Sequence, residues 1–220
     1  IRQAVQQGRL DATIKVNASP VASSQFMVFN WNKASDPFKQ SLFRSDKFRR
    51  AMSHLVNRQA VIDIVYGGLG TPMYSSVYPV LTQWINPKVP KYEYDPKQAA
   101  KLLAELGFTK KDREGYLVDS KGRRIEFNLA TNAGNTQREQ IAKLIVDEAK
   151  KVGVKVNFQA IDFNTLVGQL LSSGPDRPFD AIIIGLTGGG LDWPFGSNVV
   201  PCKGNLHMWN KSGQCLDPRE

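Results

Sequence analysis

The sequence predicts an α/β fold built on a parallel sheet, and three observations carry the prediction. From Ile125 to Gly185 the apolar residues alternate at period two, recur at helical spacing, and alternate again. The connections between these segments are short. The last segment, Phe179 to Gly185, is continuously apolar from Ala181 onward, as a strand covered on both faces must be. Strand–helix–strand–helix–strand with short connections implies parallel pairing and helices on the sheet faces.

The elements follow in chain order. Ile1 to Leu10 reads as a helix fragment ending near Gly8, and Ala12 to Val16 alternates like a strand. Pro20 interrupts. Phe26-Met27-Val28-Phe29 is a strand by its aromatic and β-branched content, and it runs into Asn30-Trp31-Asn32. Pro37 to Arg58 contains the clearest helix. There Phe48, Ala51, Met52, Leu55 and Val56 share one face, and Ser45 or Asp46 supplies the N-cap. A short helix with Val61, Ile62 and Val65 stops at Gly67-Gly68.

Thr71 to Tyr94 carries Pro72, Pro79, Pro87 and Pro90, so it reads as a long ordered loop. Asp95-Pro96 opens the next helix as N-cap and N1, and Gly107 ends it. A charged, turn-rich stretch follows, with a hairpin tip at Ser120-Lys121 or Lys121-Gly122. Then come the strand Ile125 to Leu129, the helix Thr136 to Val152 closed by Gly153, and the strand Val154 to Phe158. A helix from Phe163 to Leu171 and the final strand complete the series.

Composition narrows the function. The 29 basic and 20 acidic residues leave a net charge of +9, which raises nucleic-acid binding. The cations are interleaved with acids, as in Lys110-Lys111-Asp112-Arg113-Glu114, and no recognition motif accompanies them, so no nucleic-acid partner is expected. No run approaches the roughly 18 apolar residues of a membrane helix. The chain opens on Ile1-Arg2 without the charged and apolar regions of a signal peptide. Cys202 and Cys215 leave three readings open: a local disulfide, two free thiols, or a metal site with His207 that lacks a fourth ligand.

Catalytic patterns are missing. No Walker lysine, dinucleotide fingerprint or G-x-S-x-G elbow is present. His54 lies beside an apolar helix face as a structural, partly exposed histidine, and His207 reads as a packed, hydrogen-bonded side chain near the rim of a site. What remains is a binding surface. Parallel sheets bind ligands at the carboxyl ends of their strands. Those ends are Asn132 to Asn135 and Leu186-Thr187-Gly188-Gly189-Gly190, where the glycines permit close backbone approach. Trp31, Trp84, Trp193 and Trp209 lie in loops or at strand ends, and with Asp192 they fit a ligand pocket.

Several strings resemble the family 5 bacterial extracellular solute-binding proteins, the peptide, dipeptide and nickel receptors of ABC importers. Asp36-Pro37 and "LFRSDKFRRAMSHLVNRQAVIDIVYGGLGTP" look like its helix-and-glycine signature, and "FMVFNWN" like the strand before it. "YEYDPKQAAKLLAELGF" resembles its tyrosine–aspartate–proline helix. "GRRIEFNLATNAGNTQREQIAKLIVDEAKKVGVKVNFQAID" resembles its second-lobe β-α-β, and "FDAIIIGLTGGGLDWP" the segment after the last strand.

The resemblance implies a truncated periplasmic-binding-protein-like lobe of the class II, cluster C type. Residues 1–24 would end the first lobe and lead through the hinge, and residues 25–220 would form the second lobe, incomplete at its C-terminus. Lobes of this kind close on a ligand, so the isolated piece should bind weakly or not at all. The implied function is capture of oligopeptides or dipeptides outside the cytoplasmic membrane, by a monomer that delivers them to ABC permease subunits. The protein would be periplasmic or extracytoplasmic, with or without a lipid anchor. It would need no cofactor or metal and would not be an enzyme.

Asp192 would take the ligand's ammonium in a charge-assisted hydrogen bond of about 1.5–3 kcal/mol. Thr187 and the backbone of Gly188, Gly189 and Gly190 would hold peptide carbonyls. Trp193 and Trp31 would pack against the peptide, with Asn30 beside them. An oligosaccharide ligand for the same receptor, stacked on the tryptophans, and an α/β enzyme are the alternatives.

Overall fold

The computed structural model describes residues 1–15, 23–79, 81–187 and 198–216. In chain order the elements are α1 (Arg2–Gln6), β1 (Ser23–Phe29), α2 (Pro37–Arg44), α3 (Asp46–His54), α4 (Arg58–Tyr66), α5 (Pro96–Glu105), β2 (Lys110–Lys111), β3 (Leu117–Val118), β4 (Glu126–Asn132), α6 (Thr136–Val152), β5 (Lys155–Ile161), α7 (Phe163–Leu171) and β6 (Ala181–Thr187).

The main sheet has the order β1-β6-β4-β5. Strands β4, β5 and β6 run parallel, with Phe127 opposite Val156 and Leu129 opposite Ala181. Strand β1 is antiparallel to β6, so Ser23 faces Thr187 and Phe29 faces Ala181. The parallel β-α-β-α-β expected from residues 125–185 is therefore present. The direction of β1 was not readable from the pattern, because alternation gives a strand two faces but no partner.

Each sheet face buries its own cluster. On one side Met27 and Phe29 point toward α2, α3, α5 and α6, where Phe29 lies 5.3 Å from Phe43, 5.2 Å from Phe48 and 5.3 Å from Phe127 between ring centroids. On the other, Val28, Ile182 and Ile184 meet Leu166 and Leu170 of α7 and Met208. A strand whose two faces are both covered has to be apolar throughout, which is why residues 181–184 show no alternation.

Local signals set most boundaries. The Asp95 carboxylate accepts from Gln98 N at 2.9 Å, and the Asn135 amide oxygen from Arg138 N at 3.0 Å. Each satisfies a helix-end donor that would otherwise lack a partner. Ser45 caps α3 as expected, accepting from Phe48 N. Its extended backbone also ends α2, a helix that the Asp36-Pro37 start produces and that the apolar spacing did not separate from α3. Gly153 ends α6 at φ 98°, and a Cβ there would lie 3.0 Å from Gly115 O, so position and conformation both require glycine.

One expected strand fails to form, and one short hairpin was not anticipated. Residues 11–15 form no strand, while Val16 and Pro20 lie outside the described residues. The hairpin β2–β3 was missed because its strands are two residues long. Its turn is held by the Asp112 carboxylate, which accepts from Glu114 N and Tyr116 N.

The described residues between 71 and 94 form a loop with one 3₁₀ turn, Thr82–Trp84. The Arg58 guanidinium ties it down, donating to Met73 O at 3.0 Å and Tyr92 O at 3.1 Å. Among the described residues no helix is long and apolar enough to cross a membrane.

Candidate functional site

The carboxyl ends of β4, β5 and β6 lie side by side, joined by the beginning of β1. Thr187 ends β6 exposed, with its hydroxyl 3.5 Å from that of Ser23. Beside it the buried Tyr78 donates its hydroxyl to Leu186 O at 3.3 Å, bringing the long loop to this end. On the β5 side the Asp162 carboxylate caps α7 through Thr165 N, and that bond holds its pKa below the usual carboxylate value. The neighbouring Phe163 is 51% exposed, a large apolar ring left open at the same end.

The group that sequence reasoning missed is Arg138. It sits in the first turn of α6, half-buried over the strand ends. Its Nε donates to Gln25 Oε1 at 2.9 Å and its Nη1 to Asn132 Oδ1 at 2.7 Å. Among the described residues no carboxylate pairs with it. Burial pulls its pKa below the ordinary guanidinium value, and the nearby Tyr66 opposes that shift. Arginine stays charged under such conditions, so a cation with no counter-ion among the described residues stands at the open end of the sheet. The string "TNAGNTQREQ" contained the signal: an arginine one turn into a helix that starts from a parallel-strand end.

Asn30 and Trp31 are not at this end. They follow Phe29, and β1 runs antiparallel, so they lie beside the amino end of β6. A seven-residue strand separates them from Thr187 by about 20 Å. Asn30 is fully buried, and its amide donates to Arg177 O and to Phe179 O at 2.7 Å while accepting from Asn32 N. Its side-chain amide is thus bonded to the backbone around it. Trp31 packs 6.3 Å from Trp209 and under the Arg49 guanidinium. Strand direction thus places these two at the opposite end of β6 from Thr187, apart from the pocket expected there. Gly188, Gly189, Gly190, Asp192 and Trp193 lie outside the described residues.

At the amino end of the sheet the buried carboxylate is already paired. Asp180, buried, receives Lys39 at 2.7 Å, Lys33 at 3.3 Å and the Asn128 N–H at 3.0 Å. Burial pushes its pKa up, but these partners outweigh it and hold the carboxyl below its ordinary value. A concavity of about 590 Å³ here is lined by Phe38, Lys39, Arg124, Glu126 and Asn157 among others. Its charges are paired within the protein, Arg124 with Asp112 and Glu114, and Glu126 with Lys155.

Cys202 and Cys215 form a disulfide, which removes the free-thiol and metal readings. Among the described residues no group of three His, Cys, Asp or Glu could hold a metal. His207 is buried, its Nδ1 3.0 Å from Val199 O and its ring 4.0 Å from that of Trp209. His54 bonds Glu93 O through Nδ1 at 2.6 Å and meets Tyr92 edge-on, the structural role expected of it.

Known proteins are similar to this chain in architecture and sequence. The "Probable ABC transporter-binding protein" of Deinococcus radiodurans is 52% identical over 229 residues, spanning all of this chain and 38% of its own length. The oligopeptide-binding protein AppA of Bacillus subtilis is 34% identical over 163 residues, 73% of this chain and 28% of AppA. The structure of AppA in complex with a nonapeptide superposes with a TM-score of 0.75 at 28% identity, covering 95% of this chain and 40% of that one. The chain thus spans about two fifths or less of these relatives. Residues 2–204 match the family model described as "Bacterial extracellular solute-binding proteins, family 5 Middle". The chain belongs to the family 5 bacterial extracellular solute-binding proteins.

Proposed function

We propose that the protein carrying this chain is the substrate-binding component of an ABC importer, capturing oligopeptides or dipeptides outside the cytoplasmic membrane and handing them to the permease. The observation that carries the peptide reading is Arg138, a cation with no described counter-ion, held by neutral amides at the carboxyl ends of parallel strands. Ligands bind at that place in open α/β sheets, and a free carboxylate is the group a guanidinium fork fits best.

The rest of a peptide suits the neighbouring residues. Thr187 and the backbone of Gly188, Gly189 and Gly190 would take its carbonyls, Asp192 its ammonium, and Phe163 and Trp193 its apolar side chains. Residues 1–24 would belong to the first lobe and hinge and residues 25–220 to the second lobe, so the complete cleft needs both. The protein would act as an extracytoplasmic monomer, with or without a lipid anchor. The reading needs no cofactor and no catalytic residue. AppA, whose name and structure record an oligopeptide ligand, supports the choice of peptide.

The oligosaccharide reading loses ground because Trp31 and Trp209 pack on each other far from the strand ends. Calorimetry on the full-length protein should show sub-millimolar binding of members of a tri- to nonapeptide library and none of cello- or xylo-oligosaccharides. Arg138→Gln and Asp192→Ala should each weaken the best peptide by roughly tenfold or more. Unchanged affinity in both variants, or binding of the sugars instead, would sink the proposal.

A further inference from the structure

Gln25 reaches Arg138 by crossing an entire strand. Gln25 and Gly185 are register partners on β1 and β6, and β6 separates β1 from β4. A Cβ built on Gly185 would lie 2.5 Å from Gln25 Nε2, 2.7 Å from Oε1 and 2.8 Å from Cδ. The Gln25 amide therefore lies directly on the Gly185 backbone, on its way to the guanidinium of α6. Gly185 is not in the left-handed region, so its backbone does not demand glycine. Only the side chain lying across it does.

The acceptors of Arg138 set it apart from other arginines of the chain. Arg49 and Arg50 pair with Asp46, Arg123 with Asp119, and Arg124 with Asp112 and Glu114. Arg58 and Arg177 are held mainly by backbone carbonyls inside the fold. Arg138 is held by two side-chain amides, Gln25 and Asn132, at an open strand end. An amide oxygen orients a guanidinium through a single hydrogen bond and, being neutral, leaves its charge standing. Nη2 keeps both its protons without an acceptor among the described residues, so part of the donor fork remains for an anion.

We infer that Gln25, lying in the room that Gly185 provides, is a positioning residue for ligand selection. It fixes the Arg138 fork without neutralising it, and so makes the site favour ligands that end in a free carboxylate over the same ligands capped as amides. This rests on the peptide reading above and adds to it the selection of acid over amide and two residues that act through Arg138. Glutamate at position 25 would fill the same space and cancel the charge. A methyl group at position 185 would displace only the flexible end of Gln25, so the fold should survive while the positioning is lost.

The test uses the full-length protein and two probes: the best-binding free-acid peptide of the tri- to nonapeptide library and its C-terminal amide, titrated calorimetrically near neutral pH. The wild type should prefer the acid by roughly tenfold or more. That preference should fall toward unity in Gln25→Glu and several-fold in Gly185→Ala. Because Gly185 acts through Gln25, Gln25→Ala combined with Gly185→Ala should match Gln25→Ala alone. A purely structural strut would weaken acid and amide alike and keep their ratio, and an unchanged ratio in Gln25→Glu overturns the inference. A wild type that binds both probes equally overturns it too, while leaving the peptide reading intact. Absence of any peptide binding overturns both.

Discussion

Lys39, in the first turn of α2, donates its ammonium to the buried carboxylate of Asp180 at 2.7 Å, one residue before β6 begins. The bond ties the helical layer to the amino end of the sheet. Lys33 and the Asn128 N–H complete the carboxylate's shell.

Asp180→Asn should destabilise the protein by about 3 kcal/mol at neutral pH. That is the low end for a broken buried pair, since the lysines can turn toward solvent. The sign with pH follows from the lowered pKa of Asp180. A carboxyl depressed in the folded state contributes stability that is fully present above its unfolded value, about 3.9, and lost as pH falls through the folded value. Urea denaturation should show the gap between wild type and variant narrowing below about pH 4. A gap that stays constant across that range would contradict the assignment.

Trp31→Ala should lower stability without touching ligand affinity. The ring is partly buried between Trp209 and the Arg49 guanidinium, so the loss should be about 2–3 kcal/mol, less than for a fully buried tryptophan. Placement at the amino end of β6 means that peptide affinity of the folded variant should stay within a factor of about two, a difference below 0.5 kcal/mol. A tenfold weakening would mean that the binding surface reaches the wrong end of the sheet.

Reducing the Cys202–Cys215 bond, or replacing both cysteines by serine, should cost about 3 kcal/mol in the chain-entropy account of a loop this short. The closed segment carries Met208, whose carbonyl accepts from Arg177, and Asn210, which bonds Asn32. Thermal denaturation with and without dithiothreitol should separate the two states in the wild type and coincide in the double serine variant. Equal melting of oxidised and reduced wild type would show that packing alone holds the segment.

Much of the fold was legible in short strings. Asp95-Pro96, Asn135 and Gly153 mark helix ends because a cap needs only residues within one turn. The continuous apolar run at 181–184 announces a strand covered on both faces, which then appears between two helical layers. Local pattern in the chain thus specified the parallel core from residues 125 to 185 and the main helix ends, and its chain-long resemblance specified the family, while the strand expected near residues 12–16 and the division of α2 from α3 were not carried by it. Tertiary structure alone decided which ends of the strands meet. Antiparallel pairing of β1 sends Asn30 and Trp31 to the amino end and brings Gln25 instead to Gly185 and Arg138. Local periodicity sets a strand's two faces, but its direction and neighbours come from packing between residues far apart in the chain. The Gln25–Arg138–Asn132 cluster is thus assembled from β1, β4 and α6, across Gly185 of β6, only once the sheet has formed.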